Sequence, residues 1–344
     1  MSWLQTEQDL IDLDRRNPGT WTPPADREAA RATASLTLSD YSTRWLSQRA
    51  VSRRTRESYT YLLTTHVLPA LGGQVLTDIT SEEVRQWFAG MDPAKPTARA
   101  RAYETLASLL NTAVTDGLID RSPARVTGGA AVKRSRQVVL LEPDQLAQLG
   151  AAMPEHLRLT VLLAGWCGLR RGEAFALTRG DVGKDCATVS VTKAVTYRER
   201  EYLCGPTKTE SSIRTVTVPP HLRPLLGEHL TRHTGKGRAS LLFPDPVTGS
   251  FMAEGRYRGH FAAAREAIDQ PGLRFHDLRH AAGVLVAQSG ATIRETMDYL
   301  GHSTSAAAMR YQHTAAGRAD ALAARLSAMA TGTPAPHLSI VRQA

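Results

Sequence analysis

The sequence predicts a mainly α-helical protein with a small antiparallel β-sheet, built as an N-terminal four-helix domain followed by an α+β domain. Three observations predict this. The chain has 344 residues, a length that suits two domains. Apolar residues recur at helical spacing from 36 to 126. Between 187 and 218 the pattern changes to short β-type runs divided by turn residues, and helical spacing then resumes.

Residues 1–35 form a short lead. Leu4, Leu10, Ile11 and Leu13 line one helix that Asn17-Pro18-Gly19 stops, with too little apolar surface for an independent domain. In the helical domain, 36–126, a first helix carries Tyr41, Trp45 and Leu46. A second starts after Ser52, holds Tyr59, Tyr61, Leu62 and Leu63, and is expected to end before Pro69. Thr80-Ser81-Glu82-Glu83 is a capping box opening a helix through Val84, Trp87 and Phe88. A fourth helix, about Ala98 to Asp116, buries Tyr103, Leu106, Leu109, Leu110 and Ala113, and Gly117 closes it.

The stretch 121–136 has five basic residues, no acidic one, a Pro and a Gly pair, and is expected to be a flexible connector with the linker proper at 127–138. The second domain spans 139–330, and 331–344 is a loose tail. Pro143 suits the first turn of a helix through Leu146 and Leu149. A strongly apolar helix, Leu157–Trp166, is broken by Gly168, and a short helix follows from Arg171 to Leu177. Strands are expected at Ala187–Ala194, Thr196–Leu203 and Ile213–Val218, the last two joined by the turn-rich loop Gly205–Ser211. An amphipathic helical stretch runs from Thr314 to Met329.

Forty-two Lys+Arg against 33 Asp+Glu give a net charge of +9, which suits a polyanionic partner. Aromatic residues are sparse, at 6%, which argues against a base-stacking surface for single strands. Cys167, Cys186 and Cys204 are too few and too scattered for a disulfide framework or a zinc site, and fit a reducing compartment. The acidic N-terminus is unlike a signal peptide, and no apolar run approaches the ~18 residues of a membrane span. The expectation is an intracellular protein without a membrane partner.

Five local signals carry chemistry. Gly168-Leu169-Arg170-Arg171-Gly172-Glu173 sets an arginine at a helix break with a carboxylate three residues on, where Glu173 can orient the guanidinium. Read alone, that is an ordinary ion pair at a helix end. Lys208 sits in a loop between strands, followed by Ser212 and Arg214. In His276-Asp277-Leu278-Arg279-His280 the apolar residues mark one helix face, and His276 and Arg279 share another, a pairing suited to an anion. Thr292-Ile293-Arg294-Glu295 is a second capping box, whose helix ends at Leu300-Gly301-His302 with Gly301 as a left-handed cap. Tyr311 follows nine residues later.

In that order and spacing, arginine, lysine, His-x-x-Arg, Leu-Gly-His and tyrosine resemble the catalytic signature of the tyrosine recombinase (phage integrase) family, over residues 36 to 325. The helical part, with Pro69-Ala70-Leu71-Gly72 and Gly117-Leu118-Ile119, resembles that family's core-binding (SAM-like) domain, and 139–330 its catalytic domain. The resemblance implies integration or excision of a phage or other mobile element by transesterification, with neither metal nor other cofactor. It implies Tyr311 as nucleophile, Arg170 and Arg279 as forked donors to the phosphate, and His302 as a further donor. It also implies His276 as proton acceptor, Lys208 as general acid, Glu173 as support for the cationic site, and His280 in a lesser supporting role.

The implied partners are double-stranded attachment sites bound by a homotetramer on two duplexes in the bacterial cytoplasm or nucleoid. An accessory directionality or DNA-bending protein stays open. Candidate DNA contacts are Arg53, Arg54 and Arg56 at a helix start and Lys133, Arg134 and Arg136 in the connector. Residues 1–35 are too short for a separate domain reading remote arm-type sites. Two alternatives share the chemistry: type IB topoisomerase-like DNA relaxation and Xer-like resolution of replicon dimers.

Overall fold

A computed structural model describes residues 3–16, 21–27, 35–132, 136–198, 201–207 and 212–301, together with 303–305, 309, 323, 327, 330 and 331. The chain divides into two compact units between Ser135 and Arg136.

Helix α1 (Trp3–Asp14) leads the first unit. Its Glu7 accepts hydrogen bonds from Trp21 Nε1 at 3.0 Å and from Arg27. Leu4 and Leu13 remain exposed, so its apolar stripe covers little. Four helical rods follow: α2 (Leu38–Gln48), α3 (Arg53–Leu62) with its extension α4 (Leu68–Leu71), α5 (Ser81–Gly90) and α6 (Pro96–Thr115). Thr37 and Ser52 cap α2 and α3, and Thr80 and Glu83 close the reciprocal box at α5. Leu38, Leu63, Val67, Val84, Leu106 and Leu110 form a core that excludes water completely. Trp45 Nε1 donates to Thr112 at 3.0 Å and the Tyr41 hydroxyl to Asp116 at 2.8 Å, which ties the first rod to the last.

Two features of this unit differ from expectation. The second rod does not stop before Pro69: a π-helical turn, Leu63–Val67, intervenes, and α4 carries on through Pro69 to Leu71. In a regular α-helix the proline ring would press on the carbonyl four residues back and leave it without a donor. The wider turn, in which Leu68 N–H donates to Leu63 O, shifts the ladder at this point. The basic stretch after α6 is also anchored through much of its length. The Tyr103 hydroxyl donates to Ala124 O at 2.9 Å and accepts from Val126 N–H at 3.0 Å, and a Cβ at Gly129 would come within 2.8 Å of the Tyr103 ring. Its charges favoured a solvated connector, but Ala124 and Val126 bring enough apolar surface to pack on the core.

The second unit is organised by α8 (Glu155–Cys167), buried on nearly every face between α7 (Pro143–Ala152), α9 (Arg171–Ala176), α10 (Arg223–Arg232) and α12 (Phe275–Gln288). Helices α11 (Glu254–Ala267) and α13 (Ile293–Leu300) also belong to this unit. Strand β1 (Thr188–Val191) pairs antiparallel with β4 (Arg214–Thr217), Thr188 facing Thr217 and Val191 facing Arg214. Strands β2 (Lys193–Arg198) and β3 (Glu201–Pro206) form a separate antiparallel ribbon.

The segment expected as one strand, Thr196–Leu203, is therefore where this ribbon doubles back, with Arg198 opposite Glu201. Alternating residues read alike along one strand and across a hairpin. The pairing of Tyr197 with Tyr202, ring centroids 4.8 Å apart, sets the register. The ribbon packs on α9, where Val195 O approaches so closely that a Cβ on Gly172 would lie 2.6 Å away.

Gly168 ends α8 and Gly301 ends α13, both in the left-handed region, at φ 65° and 64°. A Cβ on Gly168 would meet Leu300 Cδ2 at 2.4 Å. Gly168→Ala therefore combines backbone strain with a clash and is expected to cost about 2–4 kcal/mol, measured as a lower urea midpoint at unchanged slope.

Candidate active site

The site is assembled where the C-termini of α8 and α13 come together. Each leaves carbonyls that no turn of helix can satisfy. Gly168 reverses the chain, Leu169 is fully buried behind it, and Arg170 emerges as the N-cap of α9. Glu173, one turn on and 1% exposed, accepts the Arg170 backbone N–H at 3.0 Å on Oε2 and Arg170 Nη1 at 2.5 Å on Oε1. The same guanidinium donates through Nη1 to Ser212 Oγ and through Nη2 to Gly301 O, each at 3.3 Å.

Arg279, on α12, is 2% exposed, an unusual environment for a permanent cation. Its Nη1 donates to Gly168 O at 2.5 Å and its Nη2 to Leu300 O. Helix-terminal carbonyls stabilise this charge through hydrogen bonds and through the negative end of the helix dipole. One turn earlier on the same helix, His276 reaches the surface. Crowding by surrounding protein, then the cations of Arg279 and Arg170, hold its pKa below the ordinary histidine value, against a smaller opposing effect of Asp277. The shift favours the neutral ring, the form able to accept a proton. His280 stands edge-on to it, ring centroids 4.8 Å apart.

A third arginine stands behind these two. Arg214 opens β4, its side chain only 6% exposed, and its Nη2 lies 3.1 Å from Glu173 Oε2. It also donates to Tyr299 O at 3.2 Å, Ser212 O at 3.2 Å and Gly168 O at 3.4 Å. No role was expected for it. Its signal lay in strand alternation: 214, 216 and 218 share a face, and Val216 and Val218 are buried. An arginine in that register must find acceptors in the interior.

Arg170, Glu173, His276, Arg279 and His280 thus gather in one place. Lys208, His302 and Tyr311 lie outside the described residues. Lys133 and Arg134 also lie outside. Arg53 pairs with Glu57 at 2.9 Å, and Arg54 is exposed. Arg56 caps α2 instead of facing solvent, donating to Leu46 O and, at 2.8 Å, to Arg49 O. Arg136 reaches Asp277 and Gly272 O. Among the described residues, no group of three or more His, Cys, Asp or Glu could hold a metal ion, and no helix is long and apolar enough to cross a membrane.

Glu173 feels burial pushing its pKa up, but Arg214 and Arg170 outweigh this and the carboxyl titrates below its ordinary 4.5. A depressed folded-state pKa gives stabilisation that is complete above the unfolded value and lost as pH falls through the folded one. Glu173→Gln is expected to cost about 2–4 kcal/mol at pH 7. It should also flatten the decline of the urea midpoint on the acid side of pH 5, measured by denaturation across a pH series.

With this geometry in place, comparison with known proteins is specific. The model of the phage integrase family matches residues 140–318, and that of the phage integrase N-terminal SAM-like domain matches 37–91. A putative prophage phiRv2 integrase of Mycobacterium tuberculosis is 37% identical over 332 residues, 96% of this chain and 86% of the relative. The Tn1549 transposon integrase, solved with a circular intermediate DNA, superposes with a TM-score of 0.70 at 20% identity, covering 85% of this chain and 100% of that one. A lambda integrase tetramer bound to a Holliday junction gives a TM-score of 0.57 at 19% identity, covering 90% of this chain and 86% of that one.

Proposed function

Since this chain belongs to the phage integrase family and is a site-specific tyrosine recombinase, we propose that Tyr311 is its nucleophile and that the arginine site at the α8 and α13 termini holds the scissile phosphate. The observation that carries this is the pair Arg170 and Arg279, the first held by Glu173 and Gly301 O, the second by the helix-end carbonyls of Gly168 and Leu300. A guanidinium anchored in this way needs little reorganisation to meet charge that develops on non-bridging phosphate oxygens.

In the proposed reaction the Tyr311 oxygen attacks phosphorus and the bond from phosphorus to the 5′-oxygen breaks. The product is a 3′-phosphotyrosine and a free 5′-hydroxyl, with no loss of bond energy. A phenol of pKa ~10 needs a base or a cationic field to react at neutral pH. Neutral His276 takes the phenolic proton, Lys208 protonates the leaving 5′-oxygen, and His302 donates to the phosphate. Attack by a 5′-hydroxyl from the second duplex reverses these steps and exchanges strands. Glu173 keeps Arg170 oriented, and His280 supports the ring of His276.

The substrate is double-stranded attachment-site DNA of a phage or other mobile element. By analogy with the lambda tetramer on its junction, four copies act on two duplexes. Exposed Arg54 and the connector residues Lys133 and Arg134 are the proposed backbone contacts. DNA as substrate places the reaction in the bacterial cytoplasm or nucleoid.

Tyr311→Phe is expected to bind attachment-site DNA normally and form no covalent adduct, checked by gel shift beside denaturing electrophoresis of a nicked half-site. Arg279→Lys keeps the charge but loses the fork, and should slow adduct formation by about 10²-fold or more. An adduct trapped with Tyr311→Phe, or cleavage at the normal rate by Arg279→Lys, would refute the assignment. Relaxation of supercoils without exchange between two defined sites would favour a topoisomerase.

A further inference from the structure

We propose that Arg136, the first residue of the second unit, is a positioning residue that holds the catalytic helix α12 in register through Asp277. This rests on the reading of His276 and Arg279 as members of the active site. Arg136 grips the Asp277 carboxylate with two nitrogens, Nη1 to Oδ1 at 3.1 Å and Nη2 to Oδ2, and Nη2 also donates to Gly272 O at 2.9 Å. The Asp277 side chain is 3% exposed and that of Arg136 33%. Asp277 in turn accepts the Arg274 backbone N–H at 2.9 Å, closing the first turn of α12. The first residue of the second unit is thus fastened, by a two-pronged charged contact, to the residue adjoining His276 and one half-turn before Arg279.

The contact sets charge as well as position. His276 faces Asp277, Arg279 and His280 on its own helix, and Arg170 from the start of α9. Arg136 acts on it indirectly, by neutralising Asp277. Removing Arg136 leaves the carboxylate uncompensated, which favours imidazolium and extends protonation of the base to higher pH. Removing the carboxylate while Arg136 remains does the reverse. A residue that only stiffened the helix would slow cleavage without moving the pH at which His276 titrates. A residue that only held a DNA phosphate would weaken binding and lower its salt dependence.

The test uses the full chain and a nicked half-site duplex taken from the junctions of its own element with the host chromosome. Adduct formation is followed at saturating protein from pH 5 to 9, and DNA affinity at several salt concentrations. Arg136→Ala is expected to slow cleavage about tenfold and to move the acid limb of the profile upward by about half a pH unit or more. Asp277→Asn should move that limb downward, and Arg136→Lys should restore it close to the wild-type position. Opposite shifts in the two charge-removing variants support the proposal even if both fold less stably.

Unchanged limbs in both variants, or a loss confined to DNA affinity with normal cleavage at saturation, would overturn it. Failure of the wild-type protein to form an adduct would instead overturn the functional reading beneath it.

Discussion

A helix that stops leaves carbonyl oxygens without donors, and the second unit brings two such ends together and closes them with arginine. Gly168 O receives Arg279 and Arg214, while Tyr299 O, Leu300 O and Gly301 O receive Arg214, Arg279 and Arg170 in turn. The two glycines at the ends are bound to this arrangement. A left-handed residue is needed to turn each chain aside while its last carbonyls still point outward, and only a hydrogen at Gly168 leaves room for Leu300. Glu173 supplies the full negative charge that Arg170 and Arg214 share. The carbonyls, each with a partial charge, fix guanidinium geometry without cancelling the positive field that a phosphate would meet.

The parts of this design that are local were legible in the sequence. Both Thr-x-x-Glu boxes, the glycine caps at 168 and 301 and the helix carrying His276 and Arg279 depend on residues within one or two turns of each other. Arg170 and Glu173 are neighbours by the same rule. Arg214 could not be assigned in this way, since its partners Glu173, Gly168 and Tyr299 lie 41 to 85 residues away in sequence. The same holds for Arg136, which meets Asp277 across 141 positions.

Where the strand pattern misled, the reason was degeneracy. Period-two alternation cannot distinguish one strand from a ribbon folded on itself, and the pairing of Arg198 with Glu201 and of Tyr197 with Tyr202 shows where the chain doubles back. At Pro69 the inference from proline to helix end was sound for a regular helix, and the π-helical turn is the means by which the chain escapes it. In the connector, basic charge spoke for solvent while a single phenol, Tyr103, collected backbone partners on both sides of Arg125.

The ties from Tyr41 and Trp45 to the end of α6 carry a consequence for how the first unit comes into being. Their partners, Asp116 and Thr112, lie 75 and 67 residues downstream, so neither tie can form until α6 has been synthesised. Contacts of such long sequence separation make closure of this unit depend on its last rod as well as on the helical propensity of its earlier ones.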